Sequence, residues 1–384
     1  MNPAQRLPLG ALLALAMGGF VTILTEALPA GLLPQMADSL SVSEAWVGQT
    51  VTVYALGSLL AAIPLIMLTQ GVRRRPLLLT AIAGFVIANT VTALSTSLSL
   101  TLVARFLAGV SAGLLWALVA GYAARMVPQH LKGRAIAVAM VGSPLALSLG
   151  IPAGTWLGML VGWRACFGIM SALAVLLIIW VNWRVPDFPG QARGTRLELG
   201  AVYRLPGIRP VLFVVLAFVL AHNILYTYIA PFLAAVGMLE RIDLILLVFG
   251  LSSVLGIWIV GVLIDRHLRR MTLACTGLFG LASIALAIGS QSPAVIYIAI
   301  GIWGLAFGGV PTLFQTALAK SAGDSTDVAQ AMLVTAWNMA IAGGGILGGV
   351  LLERLGVGAF SPVLLLLLLA TLLVVARSRQ HGFA

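Results

Sequence analysis

Three ionisable side chains fall inside long apolar runs of the sequence, where each could carry a proton or a charge. Glu26 is the single charge within residues 9–33, Arg105 lies in the run that begins near residue 100, and His222 lies midway along a third run. An ionised glutamate in an apolar helix costs at least about 2 kcal/mol. Ionisable groups in such runs are therefore functional candidates.

Depth favours a pairing of Glu26 with Arg105. Each lies about seven residues from one end of its run, which is about 10 Å at 1.5 Å per residue. Burial favours the neutral form of a carboxyl, whereas a nearby guanidinium favours the ionised form. A site that alternates between these surroundings could take up a proton on one side and release it on the other.

Other interpretations of these three residues stay open. Glu26 and Arg105 could form a fixed buried ion pair, or Glu26 could face a wet vestibule without coupling. Arg105 could instead contact substrate or donate to main-chain carbonyls. His222 could relay a proton through its imidazole, or it could be a satisfied polar residue.

A second set of candidates would bind a small polar solute, because such a cavity needs a few placed hydrogen-bonding groups and aromatic walls. The alternative for each is a contact between helices. The members are polar or amphipathic side chains well inside apolar runs: Gln49, Tyr54, Trp116, Tyr226, Tyr228, Gln315, Trp337 and Asn338.

The elements that position these residues are membrane-spanning helices. Hydrophobic residues make up 61% of the 384-residue chain and charged residues 9%, against about 25% charged in soluble domains. Runs near or above about 18 apolar residues recur, each long enough to span a bilayer. We predict an all-α membrane protein with twelve spans: 9–33, 47–69, 77–95, 100–123, 135–160, 165–183, 210–237, 244–264, 271–289, 294–319, 328–352 and 357–376.

The net charge of +11 reflects topology rather than nucleic-acid binding. With the N-terminus inside, 18 of the 22 Lys and Arg fall in inner segments, three fall in outer loops and Arg105 lies within a span. This bias follows the positive-inside rule and places both termini in the cytoplasm.

The sequence offers no support for an enzyme, a metal site or a cofactor. The run GVSAG at 109–113 matches a hydrolase nucleophile pattern, but it lies inside an apolar span where no strand-to-helix elbow can form. The loop histidines lack metal-ligand spacing, and no nucleotide-binding loop is present. Cys166 and Cys275 are expected near opposite faces of the membrane, so a disulfide is not predicted.

The chain divides into two similar halves. Residues 184–209 are rich in Pro, Gly and Arg. This composition predicts a mobile cytoplasmic linker between an N-terminal half, residues 1–183, and a C-terminal half, residues 210–384. Such a linker should tolerate a short insertion near Gly194. At an offset of 196, Glu26 aligns with His222, and Ala112-Gly113 aligns with Gly308-Gly309. A parallel repeat with a substrate path between halves is a known transporter plan.

Several motifs resemble the major facilitator superfamily, and more narrowly its drug:proton antiporters, which include effluxers of sugars, nucleosides and chloramphenicol. They are TEALPAGLLP at 25–34, RFLAG at 105–109, GIPAG at 150–154, YTYIAPF at 226–232 and WNMAI at 337–341. The resemblance implies two six-helix halves that rock around a central site. It also implies gating roles for Pro29, Pro34, Arg73, Arg74, Gly150, Pro152, Gly154, Asp265 and Arg269. For Gly150, Pro152 and Gly154 this role is a bend of span five, and ordinary packing of a kinked helix is the alternative.

One position departs from that family. The loop between spans two and three usually carries an acid before its basic residues, but Thr69 stands there, and the second half alone keeps the acid, as Asp265. The departure argues against a charge-paired latch in the first half. The sugar-efflux-like members are the better match for this loss.

The function expected from these features is proton-driven export of a small organic solute across a bacterial inner membrane, by a monomer whose partners are substrate, protons and lipid. A proton-independent facilitator or importer is an alternative within transport. A non-transporting membrane sensor with the same fold is an alternative of another class, and an intramembrane enzyme is a weaker one.

Overall fold

A computed structural model describes residues 7–192, 198–289 and 291–383. Every regular element within these ranges is a helix. The α-helices are α1 Leu9–Gly31, α2 Leu33–Leu40, α3 Glu44–Thr69, α4 Arg74–Leu94, α5 Leu98–Arg125, α6 Lys132–Met140, α7 Gly142–Leu145, α8 Ile151–Val161, α9 Trp163–Arg184, α10 Leu199–Arg204, α11 Ile208–Thr227, α12 Ile229–Ala235, α13 Ile242–Ile288, α14 Pro293–Gly308, α15 Val310–Ala322, α16 Thr326–Leu355 and α17 Phe360–Arg377.

The described chain contains ten helical stretches that are long and apolar enough to cross a membrane. Two of them, Leu239–Ile288 and Pro293–Leu355, have 50 and 63 residues, and a single crossing needs about 20. Each therefore has the length for two crossings. The protein is an all-helical, multi-pass membrane protein, and the count of twelve stays a prediction.

The predicted gap between the eighth and ninth spans is wrong in one respect. We expected separate helices at 244–264 and 271–289, but α13 runs through both. His267 alone departs from helical geometry there, with φ −133° and ψ 29°. A kink at one residue thus replaces a loop.

Contacts divide the chain into two compact units. Unit 1 comprises residues 1–199 and 324–335, and unit 2 comprises residues 200–323 and 336–384. The segment 324–335 belongs to unit 1 although it lies in the second half of the sequence. This segment contains the start of α16.

The internal repeat is visible where the first helix of each half breaks. Helical geometry is interrupted at Leu32, between α1 and α2, with φ −120° and ψ 11°. It is interrupted again at Tyr228, between α11 and α12, with φ −109° and ψ 26°. These positions differ by 196, the offset that aligns Glu26 with His222. Pro29 lies inside α1 and Pro34 in the first turn of α2, so the first break is flanked by residues that remove main-chain donors.

A second repeated feature is the close crossing of two helices in each unit. In unit 1, a methyl group at Gly109 of α5 would clash with the main-chain oxygen of Tyr54 in α3. In unit 2, Gly304 of α14 stands in the same relation to the main-chain oxygen of Phe249 in α13. Small residues allow helices to approach this closely. The pairs differ by 195 at both positions.

This crossing corrects the sequence alignment by one residue. One turn further along, Gly113 lies against the main-chain oxygen of Ser58, and Gly308 lies against that of Ser253. The structural partner of Gly113 is therefore Gly308, whereas the offset of 196 pairs it with Gly309. The single offset fails because the two halves differ in length by one residue between the break at Leu32 and Tyr54, that is, between their first and second spans.

Hydrogen bonds join residues 186–191 of the predicted linker to Gln70, Arg74 and Tyr122, and the mobility of the linker stays a prediction. The amide of Arg74 donates to the carbonyl of Phe188 at 2.9 Å, and the amide of Gln191 donates to Gln70 at 2.8 Å. The Tyr122 hydroxyl donates to the carbonyl of Pro186 at 2.6 Å. Further along, residues 199–204 form α10. The insertion point near residue 194 lies outside the described residues.

Candidate functional site

Glu26 and Arg105 are neighbours in unit 1, but their charged groups do not pair. Arg105 is fully buried, and its guanidinium donates to the main-chain carbonyl of Glu26 at 3.2 Å and to that of Thr50 at 3.4 Å. Among the described residues, the half-buried Glu26 carboxylate has no ion pair. Arg105 therefore donates to main-chain carbonyls, which was one of the alternatives to an ion pair with Glu26. A role for Arg105 in proton coupling stays a prediction.

Two aromatic faces complete the surroundings of the Arg105 guanidinium. It lies 4.9 Å from the ring centroid of Tyr54 and 5.9 Å from that of Phe167. The Tyr54 hydroxyl donates to the main-chain oxygen of Thr22 at 3.2 Å, which fixes that ring beside α1. Cation–π contacts of this kind are worth more when they are desolvated. The guanidinium thus has main-chain and aromatic partners, whereas its Nη1 atom is buried without a hydrogen-bond partner.

Polar groups that sequence reasoning missed lie around this pair. Asn89 donates to the Thr25 hydroxyl at 3.0 Å, one residue from Glu26. The Asn89 Oδ1 and Thr50 Oγ1 atoms are buried and have no hydrogen-bond partner. Their signal in the sequence is weak, because one amide and several hydroxyls are ordinary in a membrane helix.

The helix that contains the GIPAG motif at 150–154 packs against the helix that carries Glu26. The helix is continuous from α7 to α8 through a π-turn that ends at Gly150, and Pro152 lies in the first turn of α8. A methyl group at Gly150 would lie 2.9 Å from the Leu24 side chain, and one at Gly154 would lie 2.6 Å from Leu28. The two glycines thus let α8 rest on α1 on both sides of Glu26.

His222 lies within a cluster of aromatic rings in unit 2. Its ring stacks on Phe307 with centroids 3.6 Å apart and planes 10° apart. Tyr226 and Trp303 lie 5.3 Å and 5.2 Å from it, and Phe249 lies 6.0 Å away. The His222 Nδ1 atom is buried and has no hydrogen-bond partner.

The remaining substrate candidates of unit 1 differ in exposure. Tyr54 is buried and serves as the platform for Arg105. Trp116 is half-buried and packs against Gly19 of α1. Gln49 is exposed in the second turn of α3. The structure therefore brings Tyr54 to Glu26 and leaves Gln49 on the surface of the unit.

The candidates of unit 2 divide in the same way. Tyr228 donates its hydroxyl to the main-chain oxygen of Gly345 at 2.6 Å and joins α16 to the helix break. Trp337 is half-buried, with its ring 6.3 Å from that of Phe307. Asn338 follows it and is also half-buried, whereas Gln315 is buried in α15. Trp337 therefore belongs to the His222 cluster, and Tyr228 has a defined contact elsewhere.

Asp327 supplies an acid that the sequence analysis did not identify. It accepts two hydrogen bonds of 2.9 Å from the Arg125 guanidinium, and its Oδ2 lies 2.9 Å from the Arg74 Nε. Arg74 and Asp327 are almost fully buried. The expectation that the loss of the acid at Thr69 removes a charge pair from the first half is therefore wrong, because residues 324–335 bring the acid to unit 1.

The other gating candidates also lie at helix ends. Arg73 pairs with Asp187, with 2.5 Å between Nε and Oδ2. Arg269 donates to the carbonyls of Val375 and Ala376 at 3.2 Å and 2.8 Å, which satisfies acceptors at the end of α17. Asp265 is half-buried in α13, near its kink.

In the part of the chain that the structure describes, no three His, Cys, Asp or Glu side chains come together as possible metal ligands.

Comparison with known proteins agrees with this architecture. The model of the Major Facilitator Superfamily matches residues 15–326, which is most of the chain. The protein belongs to this superfamily, and it is a multi-pass membrane transporter rather than an enzyme.

Two curated relatives and one solved structure are similar to this chain along most of its length. A "Probable sugar efflux transporter" of Helicobacter pylori is 27% identical over 356 residues, which cover 92% of this chain and 91% of the relative. "Transcription regulatory protein OpdE" of Pseudomonas aeruginosa is 27% identical over 388 residues, which cover 99% and 96%. The solved structure of the "proton:xylose symporter XylE" matches with a TM-score of 0.79 at 14% identity over 97% of this chain and 95% of that one, which supports the fold alone.

Proposed function

We propose that this transporter exports a small neutral solute of the sugar class and that protons entering in exchange drive the export. The observation that carries the proposal is the Glu26 carboxyl, half-buried beside a guanidinium that main-chain oxygens and aromatic faces hold. Because no ion pair ties Arg105 to that carboxylate, Glu26 can gain or lose a proton while the cation stays in place. Such a group can respond to either side of the membrane as access alternates.

The sugar class and the direction of transport rest on the relatives. The curated relative from Helicobacter pylori is named for sugar efflux.

The helix that carries Glu26 packs against the glycines of α8. A change at Glu26 would thus reach α8 through direct contact. An importer or a proton-independent facilitator remains the alternative, and it requires no role for this carboxyl.

The proposal places both termini in the cytoplasm of a bacterial inner membrane, with a single chain as the working unit. The basic residues concentrate in the segments assigned to the inside. Reporters fused after residues 195 and 384 should be cytoplasmic, and reporters after residues 40 and 240 should be external. An external C-terminus would overturn the orientation and the direction of export with it.

The cluster of Arg74, Arg125 and Asp327 is assigned a gating role. It fastens the start of α16 to unit 1 through a nearly buried carboxylate with two cationic partners. A contact of this strength would stabilise one conformational state relative to the state in which it is broken. Arg73 and Arg269 are assigned supporting roles at helix ends.

The test is concentrative transport in inside-out vesicles whose lumen is acidic. Wild type should accumulate radiolabelled aldopyranoses and release protons to the bath. Glu26→Gln keeps the shape but holds no exchangeable proton, so accumulation driven by pH should be lost and the sugar should reach equal concentrations in the lumen and the bath. Glu240→Gln makes the same change at an exposed turn and should behave as wild type.

A sensor is the second candidate, and the name of the Pseudomonas aeruginosa relative favours it. A sensor would bind its ligand without moving it. Ligand binding to purified protein with no flux in vesicles for any solute tested would support the sensor and contradict the exporter.

A further inference from the structure

We infer that unit 2 recognises the pyranose ring of a sugar through an aromatic surface formed by Tyr226, Phe307 and Trp337, with His222 beneath it. This inference rests on the proposed export of sugars and names the residues that would contact the ring. All four side chains lie in unit 2. His222 thereby becomes a substrate-binding residue instead of a proton relay.

The first observation is the graded exposure of the cluster. Tyr226 is 40% exposed, and Phe307 and Trp337 are half-buried. Phe249 and Trp303 lie behind them, buried, with ring centroids 4.5 Å apart. Partly exposed rings that contact buried rings are held rigidly, and aromatic walls of this kind are common in ligand sites.

The second observation is a polar atom that lacks a partner at the base of this surface. His222 is 6% exposed, and its Nδ1 atom has no hydrogen-bond partner. The Trp303 Nε1 donor of the same cluster is also unsatisfied. A buried polar group without a partner is destabilising. A ligand hydroxyl beside the imidazole would remove that cost.

The third observation comes from the internal repeat. The two helix crossings are related by an offset of 195 residues. At this offset, Phe249 of unit 2 corresponds to Tyr54 of unit 1, and Ile300 corresponds to Arg105. Ile300 is fully buried, so the cationic group of unit 1 is replaced by an aliphatic one. The surroundings of His222 are therefore suited to a neutral ligand rather than to an ion.

These features together select a cyclic sugar. A pyranose presents C–H groups on the face of a fixed ring, and their positive edges match the negative face of an aromatic ring. It presents hydroxyls at its rim for a group such as His222. The corresponding alditol has similar hydroxyls but no ring face, and a flexible chain must be ordered on binding.

The experiment compares each aldopyranose with its own alditol in proteoliposomes at equal pH on both sides. The pairs are D-galactose with galactitol, D-xylose with xylitol and L-arabinose with arabitol. Exchange of internal for external radiolabelled sugar is measured, because exchange does not require net proton movement. Wild type should exchange at least one aldopyranose with a KM at least about 10-fold below that of its alditol, which corresponds to one favourable stacking contact.

Variants assign the preference to the aromatic surface. Phe307→Leu and Trp337→Leu should each raise the KM for the preferred sugar by about 10-fold and should leave its alditol unchanged. His222→Gln keeps hydrogen-bonding capacity and should retain more affinity than His222→Leu. Trp258→Leu is the matched control, since Trp258 lies in unit 2 and is 66% exposed.

The outcomes separate this inference from the proposed function. Unchanged KM values in both Phe307→Leu and Trp337→Leu, or equal KM values for a sugar and its alditol in wild type, would overturn the aromatic surface while export stands. Exchange that shows the predicted pattern without any pH-driven accumulation would overturn proton coupling while the surface stands. Absence of exchange for all three aldopyranoses would overturn the inference.

Discussion

Glu26 and His222 occupy equivalent places in the two units, 196 residues apart on the first helix of each half and six residues before equivalent helix breaks. Their surroundings differ. Glu26 adjoins a buried guanidinium, whereas His222 is stacked between aromatic rings. Equivalent backbone positions in the two units therefore have different environments, one beside a cation and one among aromatic rings. The difference is consistent with a proton site in unit 1 and a substrate site in unit 2, as proposed above.

The same contrast appears at two arginines that the offset of 195 relates, Arg74 of α4 and Arg269 of α13. Arg74 of unit 1 binds the carboxylate of Asp327, and the related Arg269 of unit 2 donates to two main-chain carbonyls at the end of α17. A buried charge pair depends on both partners, but a main-chain acceptor is present whatever the side chain. The two arginines should therefore respond differently to changes in their neighbours.

The largest effect is expected from Asp327→Asn, which leaves Arg74 and Arg125 without their acid. Removing one partner of a buried pair typically costs about 3–5 kcal/mol. The apparent unfolding temperature of the purified protein in detergent should fall by several degrees. Adding Arg125→Gln to Asp327→Asn should lower it little further. An unfolding temperature equal to that of wild type would show that the cluster contributes nothing to stability.

Intermediate effects are expected from Gly109→Ala and Gly304→Ala, which test whether the two helix crossings are equivalent. Each added methyl group meets a main-chain oxygen of the facing helix, and overpacking of this kind costs about 1–3 kcal/mol. Both variants should lower the apparent unfolding temperature by similar amounts. Gly277→Ala, where a methyl group meets nothing, should not lower it. A loss in one unit alone would break the structural comparison.

The smallest effect is expected from Asp187→Asn, because its partner Arg73 is 65% exposed, unlike the buried Arg74 that pairs with Asp327. Burial raises the pKa of Asp187, but hydrogen bonds from the Arg73 side chain and the Arg75 amide outweigh it and hold the pKa below its usual 3.8. The pairing therefore stabilises the protein fully above about pH 4 and is lost as the pH falls through the lowered pKa.

The Arg73 side chain is largely exposed, so the stabilisation should be below about 1 kcal/mol. Hydrogen exchange of the Phe188 region should be faster in Asp187→Asn than in wild type at pH 7, and the two should converge in acid. A difference that persists unchanged at low pH would contradict the assignment to the ionised carboxylate.

The sequence could identify Glu26, Arg105 and His222 because a titratable group in an apolar run is conspicuous. It could predict the helical class and most spans, because length and hydropathy set these. It could not show that Arg105 binds main-chain oxygens, since every residue has one. Asp327 was missed because it lies in the first turn of a span, next to polar residues, where an acid is ordinary.

The aromatic partners of His222 were missed for a related reason. Phe249, Trp303 and Phe307 are large apolar residues in apolar helices, and such residues are usually packing residues. Their meaning depends on three helices coming together around one imidazole, and no spacing along the chain shows that. Trp337 and Tyr226 were identified only because their rings carry a polar atom.

The most direct test of the central claim is a simultaneous measurement of proton flux and sugar flux in the same vesicles, for wild type, Glu26→Gln and Phe307→Leu. The account predicts that Glu26→Gln loses pH-driven accumulation while its exchange KM stays within about threefold of wild type, less than half a decade of affinity. Phe307→Leu should show a KM raised by about 10-fold with an unchanged number of protons per sugar. If Glu26→Gln still concentrates sugar when a pH difference is the only driving force, Glu26 is not the coupling group, and the division between the two units is wrong.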